Sequence, residues 1–201
     1  MDSLIAELMG RLGYLGLAIL MALENVFPPM PSEAIMGAAA LAIHRGHMTF
    51  GAVLAAGTAG TVIGNCFWFW IGRRLGYERL RPFIDRWGRW LTLEWEDVER
   101  AMLFFARHGH WVVLFLRATP VMRTMISLPA GLAGMGWAKF LAFTAIGAAL
   151  WNVILIVGTQ WLVRLVPDSE IIVSSIIIAT AVGSVLFYLY RLATWKPRAQ
   201  R

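Results

Sequence analysis

The sequence predicts an all-α integral membrane protein. It has two inverted repeats, each a re-entrant hairpin plus a transmembrane helix, with an interfacial helical linker between them and a C-terminal transmembrane helix after them. Three observations carry this reading. The 201 residues are 59% hydrophobic and 15% charged, where a soluble domain carries about 25% charged residues. Residues 48–71 and 171–190 hold no charged side chain, and about 20 apolar helical residues cross a bilayer core of roughly 30 Å. Two shorter apolar segments are broken by proline and do carry charge.

The elements follow in order within a single domain, 1–201. Residues 2–12 place Leu4, Ile5, Leu8, Met9 and Leu12 at helical spacing, away from Asp2, Glu7 and Arg11. This is the pattern of an amphipathic helix on a membrane surface. Repeat one spans 13–72. Its apolar legs, 13–27 and 34–43, flank Pro28, Pro29 and Pro31. The 10-residue second leg is about 15 Å long as a helix, half a membrane. A leg that short predicts a hairpin with both ends on one side. Residues 48–71 then make the first full span.

Residues 73–110 hold eight arginines and six acids, interleaved with Phe83, Trp87, Trp90 and Trp95. They read as one or two helices at the membrane interface. Repeat two, 111–165, returns to the earlier pattern. An apolar leg breaks at Arg117, Pro120 and Arg123; a second leg, 125–134, contains Pro129; a span covers 140–163. Residues 171–201 supply the last span and a basic tail. With the arginine-rich linker in the cytoplasm, hairpin one opens from the far side and hairpin two from the cytoplasm, and the tail is cytoplasmic.

An ungapped shift of 90 positions lays Gly46 on Gly136, Phe50 on Phe140, Ala52 on Ala142, Ala55 on Ala145 and Gly57 on Gly147. Hairpin plus span, twice and in opposite orientation, is the inverted repeat of secondary transporters. The same shift lays Glu33 on Arg123. Gly60-xxx-Gly64 lets another backbone approach closely, either inside the chain or across a homodimer, and packing inside the chain is the expected use.

The hairpins carry opposite charge. Glu24 and Glu33 flank the first break, with no Lys or Arg from 13 to 44, whereas Arg117 and Arg123 flank the second, with no acid from 111 to 136. Each such charge at the bilayer centre costs about 2.5–3.5 kcal/mol on insertion scales. The tips are therefore expected to meet near the midplane, carboxylates facing guanidiniums around a polar cavity. Guanidinium forks suit phosphate best among anions, and Thr119, Thr124 and Ser127 offer nearby hydroxyls. Carboxylates that compete for the arginines and take up protons would exchange a proton for an anion. Fixed structural salt bridges are the alternative reading.

Other classes find little support. The formal charge of +6 lies mostly at the ends of apolar segments, which argues topology rather than nucleic acid. Cys66 is the single cysteine, so no intrachain disulfide forms. No cleavable signal peptide is evident. His44 with His47, and His108 with His110, lack the further ligands a metal needs. No cofactor is called for, and no nucleophile–base pair marks an enzyme. Asn152 and Gln160 read as bonds between helices.

Here the residues resemble a known family. Glu24, Pro28, Pro29, Met30, Pro31, Ser32 and Glu33; Gly60-xxx-Gly64 with Ile71, Gly72, Arg73 and Gly76; and Phe115, Leu116, Arg117, Ala118, Thr119, Pro120 and Arg123, followed by Pro129, Ala130 and Gly131, closely resemble the DedA family, whose members share the SNARE-associated or VTT domain. The resemblance covers about residues 13–165. It implies two opposed re-entrant hairpins and movement of lipids between leaflets. In bacterial members it implies proton-driven recycling of undecaprenyl phosphate across the inner (cytoplasmic) membrane; eukaryotic relatives look like phospholipid scramblases. The family's essential acids fall on Glu24 and Glu33, its arginines on Arg117 and Arg123. One position departs: the family often has Asp after the first-span glycine, and here Gly64 is followed by Asn65. The expected partners are thus a lipid with an anionic phosphate head group, and protons. An uncoupled phospholipid scramblase, a small-ion or proton antiporter and a lipid phosphatase are the alternatives.

Overall fold

A computed structural model describes residues 2–26, 31–91, 95–108, 111, 113, 123, 126–165 and 169–194. Among the described residues the regular elements are all helices: α1 (Asp2–Val26), α2 (Ser32–His44), α3 (Phe50–Leu91), α4 (Trp95–His108), α5 (Ser127–Leu132), α6 (Trp137–Leu165) and α7 (Ser169–Thr194). Two are long and apolar enough to cross a membrane, Phe50–Pro82 within α3 and Trp137–Leu165, and only 33% of the most apolar window of each is buried. A core helix of a soluble protein would be mostly buried. On α6 the exposed face is a stripe of Ile146, Leu150, Ile154, Val157, Trp161 and Leu165, at the 3–4-residue spacing of one helix side. That face needs an apolar solvent, which a bilayer supplies.

α2 has 13 residues and is about 20 Å long, short of a bilayer core. Pro31 stands at its N-cap with extended backbone, where the missing proline N–H is harmless. The break expected at Pro28 and Pro29 lies outside the described residues. α1 bends at Gly13, so residues 2–12 are set apart from Gly13–Val26. α3 does not end with the apolar span at residue 71 but continues into the arginine-rich linker. It runs on and bends at Gly76, whose φ of 65° and ψ of 179° form a combination essentially reserved for glycine.

Both short helices end alike. After α2, Gly46 takes φ 77° and the His47 N–H reaches back to the Ala42 carbonyl at 2.9 Å. After α5, Gly134 takes φ 68° and the Met135 N–H reaches the Ala130 carbonyl at 3.2 Å. Each is a left-handed glycine cap that satisfies an orphan carbonyl and turns the chain into the next long helix. Pro129 lies in the first turn of α5 and the helix runs through it, so it opens this leg rather than breaking it.

α3 is the shared wall. Lipid tails are as apolar as leucine, so helices here associate through close packing rather than escape from water. On one half of α3, Val53 joins Leu17 and Met21 of α1, Met36 and Ala39 of α2, and Ile156 of α6. On the other half, Phe69 joins Ile126, Ala130 and Phe140, its ring stacked on Phe140 at 4.0 Å. A Cβ at Gly60 would lie 2.2 Å from the Ala18 carbonyl oxygen of α1, and one at Gly64 2.4 Å from that of Ala22. The Gly60-xxx-Gly64 face is therefore used inside the chain. At the far end, a Cβ on Gly131 would lie 2.2 Å from the Phe69 carbonyl oxygen.

Candidate functional site

The close approach of α1 to α3 at Gly64 sets polar side chains of both helices against each other. Glu24 and Asn25 end α1, Thr61 and Asn65 lie on α3, and Arg123 and Ser127 come from the second half of the chain. Glu24, Asn25, Thr61, Asn65, Arg123 and Ser127 are all buried.

Their hydrogen bonds form a ring. An Arg123 guanidinium nitrogen donates to Glu24 Oε1 at 2.5 Å. Asn25 Nδ2 donates to Glu24 Oε2 at 2.9 Å, and with its second hydrogen to the Met21 carbonyl at 2.8 Å. Asn65 Nδ2 donates to Asn25 Oδ1 at 2.7 Å and to the Thr61 carbonyl at 2.8 Å. The Ser127 hydroxyl donates to Asn65 Oδ1 at 2.6 Å. Ser127 lies four residues after Arg123, which closes the ring through the backbone. Both amides spend both hydrogens, so neither has a donor left over. Trp68 Nε1 caps the Asn25 carbonyl at 3.0 Å, one of the carbonyls a helix end leaves open.

Arg123 is not fully used. Its Nε is buried and has no hydrogen-bond partner among the described residues. Its guanidinium carbon lies 5.9 Å from the centroid of the Trp151 ring on α6, within cation–π range. Glu33 is in the first turn of α2 and half-buried, where the helix dipole favours a carboxylate.

The expected meeting of opposite charges is thus present for Glu24 and Arg123. Ser127 joins it through Asn65. Arg117, Thr119, Pro120 and Thr124 lie outside the described residues. Asn152 donates to Thr58 at 3.3 Å, a bond between helices. Sequence reasoning assigned no role to Asn25, Trp68 or Trp151. Asn25 left a signal, an amide next to an acid in an apolar leg. The two tryptophans left none, because an aromatic residue in a span reads as lipid-facing until its neighbours are known.

The VTT domain model matches residues 29–160. This chain belongs to the DedA family, whose members carry the VTT domain. Among DedA relatives, "Undecaprenyl phosphate transporter A" of Staphylococcus aureus is 37% identical over 76% of this chain and 75% of its own length. The Bacillus subtilis protein of the same name is 32% identical over 80% and 81%. A Lactococcus lactis subsp. cremoris protein named "Alkaline phosphatase-like protein" is 33% identical over 98% and 94%. No solved structure matches the chain.

Proposed function

We propose that this chain carries a phosphate-bearing lipid, with undecaprenyl phosphate the leading substrate, between the leaflets of a bacterial cytoplasmic membrane, coupled to protons. The observation that carries the reading is Arg123. It is a buried guanidinium among apolar helices, held by Glu24 on one side, with its Nε unpaired among the described residues. A charge kept at that depth is a functional-site hypothesis by default. The headgroup phosphate displaces Glu24 from Arg123, Glu24 takes a proton, and the hydrocarbon tail stays in lipid. Arg117, Thr119 and Ser127 complete the phosphate side; Glu33 is a second proton acceptor. Two relatives named undecaprenyl phosphate transporter A support this substrate.

In this reading the segments around 27–31 and 117–123 are the tips of two re-entrant hairpins in inverted repeats, and the linker and tail face the cytoplasm. The matching glycine caps after α2 and α5 support the repeat. Ser127 donates to an amide rather than to a base, which favours transport over hydrolysis despite the phosphatase-like name of one relative. An uncoupled scramblase is the second reading. Asn65 favours it, because this buried amide has all its hydrogens committed inside the protein and carries no proton of its own to exchange.

Flipping of labelled undecaprenyl phosphate in proteoliposomes tests the reading, with and without an imposed pH gradient. Arg123→Ala is expected to abolish flipping, and the gradient is expected to accelerate the wild-type protein. Wild-type-like flipping by Arg123→Ala would sink the site. Equal rates with and without the gradient would leave the scramblase.

A further inference from the structure

One buried donor beside the site has no acceptor. The Trp151 indole nitrogen on α6 is buried and has no hydrogen-bond partner among the described residues, and the same is true of Arg123 Nε. The guanidinium carbon of Arg123 sits 5.9 Å from the Trp151 ring centroid. Two unsatisfied N–H groups in one contact are unusual, because a buried donor without an acceptor forfeits its hydration for nothing. The nearby amides bond elsewhere: Asn152 donates to Thr58, and Asn25 and Asn65 spend their hydrogens on other acceptors. An acceptor that serves both Trp151 and Arg123 is a group that takes several hydrogen bonds and suits a guanidinium.

We propose that the Trp151 indole N–H is a headgroup-binding donor that, beside Arg123 Nε, takes oxygens of one phosphate monoester. This rests on the reading of Arg123 as the anion site. Indole only donates, so unlike Glu24 it never competes for the arginine. Its ring gives Arg123 a second hold while Glu24 lets go. A phosphate has enough lone pairs to serve Trp151 and Arg123 together and suits the guanidinium fork. Thr144, seven residues earlier and so on the same face of α6, is fully buried with its hydroxyl also unpaired among the described residues. The two unpaired donors of α6 thus lie on one side of that helix.

The test uses the full chain in nanodiscs, with Trp151→Phe to remove the N–H and keep an aromatic side chain. Undecaprenyl phosphate is expected to bind the variant roughly tenfold more weakly, the loss of one hydrogen bond to a charged acceptor. In 15N-tryptophan-labelled wild type, the Trp151 indole resonance, assigned by Trp151→Phe or Trp151→Tyr, is expected to shift with undecaprenyl phosphate and stay in place with undecaprenol. A shift with inorganic phosphate as well supports the same donor, with a free anion as the source. Equal affinity of Trp151→Phe and wild type, or an indole resonance that undecaprenyl phosphate leaves unmoved, overturns the proposal. Arg123→Ala separates the two claims. If it loses the lipid while Trp151→Phe keeps it, Trp151 alone is refuted; if it binds the lipid as wild type does, the anion site itself fails.

Discussion

Asn65 holds Asn25 by a 2.7 Å hydrogen bond from its amide nitrogen to the Asn25 side-chain oxygen, and that bond fixes which end of Asn25 meets Glu24. With its oxygen taken, Asn25 presents its nitrogen to Glu24 Oε2. Glu24 therefore receives donors on both oxygens, from Asn25 and Arg123. Asn65 hydrogen-bonds neither member of the ion pair, yet it orients the group that steadies the pair.

Asn65→Asp should disturb this order in a pH-dependent way. An ionised carboxylate in place of the amide has no hydrogen to give Asn25. Asn25 then turns its nitrogen to the new carboxylate and its oxygen to Glu24, which loses a donor and gains a repulsive contact. Once protonated, the introduced carboxyl can donate again and restore the bond. The variant is expected to melt below wild type at neutral pH, with the gap narrowing as pH falls. Thermal unfolding across pH checks this; a gap independent of pH contradicts it.

Removing one partner of the ion pair should weaken the fold more than removing both. Glu24→Ala leaves Arg123 buried and uncompensated, a loss of about 3–5 kcal/mol. Glu24→Ala with Arg123→Met removes the charge as well and should recover much of that loss. Denaturation of the single and double variants in one detergent measures the difference, and additive losses would contradict the coupling.

The ring and the helix packing were legible in the sequence to different degrees. Short legs, proline breaks and opposite charge at Glu24 and Arg123 can be read from composition and spacing, because depth in a bilayer makes each charge conspicuous. Which acid meets Arg123 depends on how α1 is rotated against α3. That rotation is set by the backbone contacts at Gly60 and Gly64, which the glycine spacing only hints at. The run of α3 past Arg73 was hidden because two charges resemble a helix end. The structure instead bonds Arg73 to the Met135 carbonyl at 2.7 Å and bends three residues later, at Gly76.

The glycine contacts give a packing prediction. Gly60→Ala and Gly131→Ala each place a methyl 2.2 Å from a backbone carbonyl oxygen, so a helix must move. Each is expected to destabilise by about 1–3 kcal/mol, the usual cost of overpacking. Gly158→Ala, with open space around it, should be neutral or slightly stabilising, since alanine favours helix over glycine. Melting temperatures in detergent check the ranking.

The linker has its own pH response. The Tyr77 hydroxyl and the Trp95 indole both donate to Glu99, at 2.5 and 2.7 Å, and these bonds hold its carboxyl below the usual carboxylate range. A depressed carboxyl contributes stability above its unfolded-state value, and that contribution disappears as pH falls through the lower folded-state value. Tyr77→Phe should speed proteolysis of α4 slightly at neutral pH and make no difference once Glu99 is protonated in both proteins. The contact is solvent-exposed, so the effect is small.

Competition between Glu24 and a lipid phosphate for Arg123 is tested most directly by undecaprenyl phosphate binding to Glu24→Gln. The neutral amide keeps the shape of Glu24 and gives up its claim on the guanidinium. Tenfold tighter binding needs only about 1.4 kcal/mol. The expected result is at least that gain in affinity together with slower flipping, because the group that returns Arg123 to its resting state is gone. Unchanged or weaker binding by Glu24→Gln would contradict the exchange of carboxylate for phosphate.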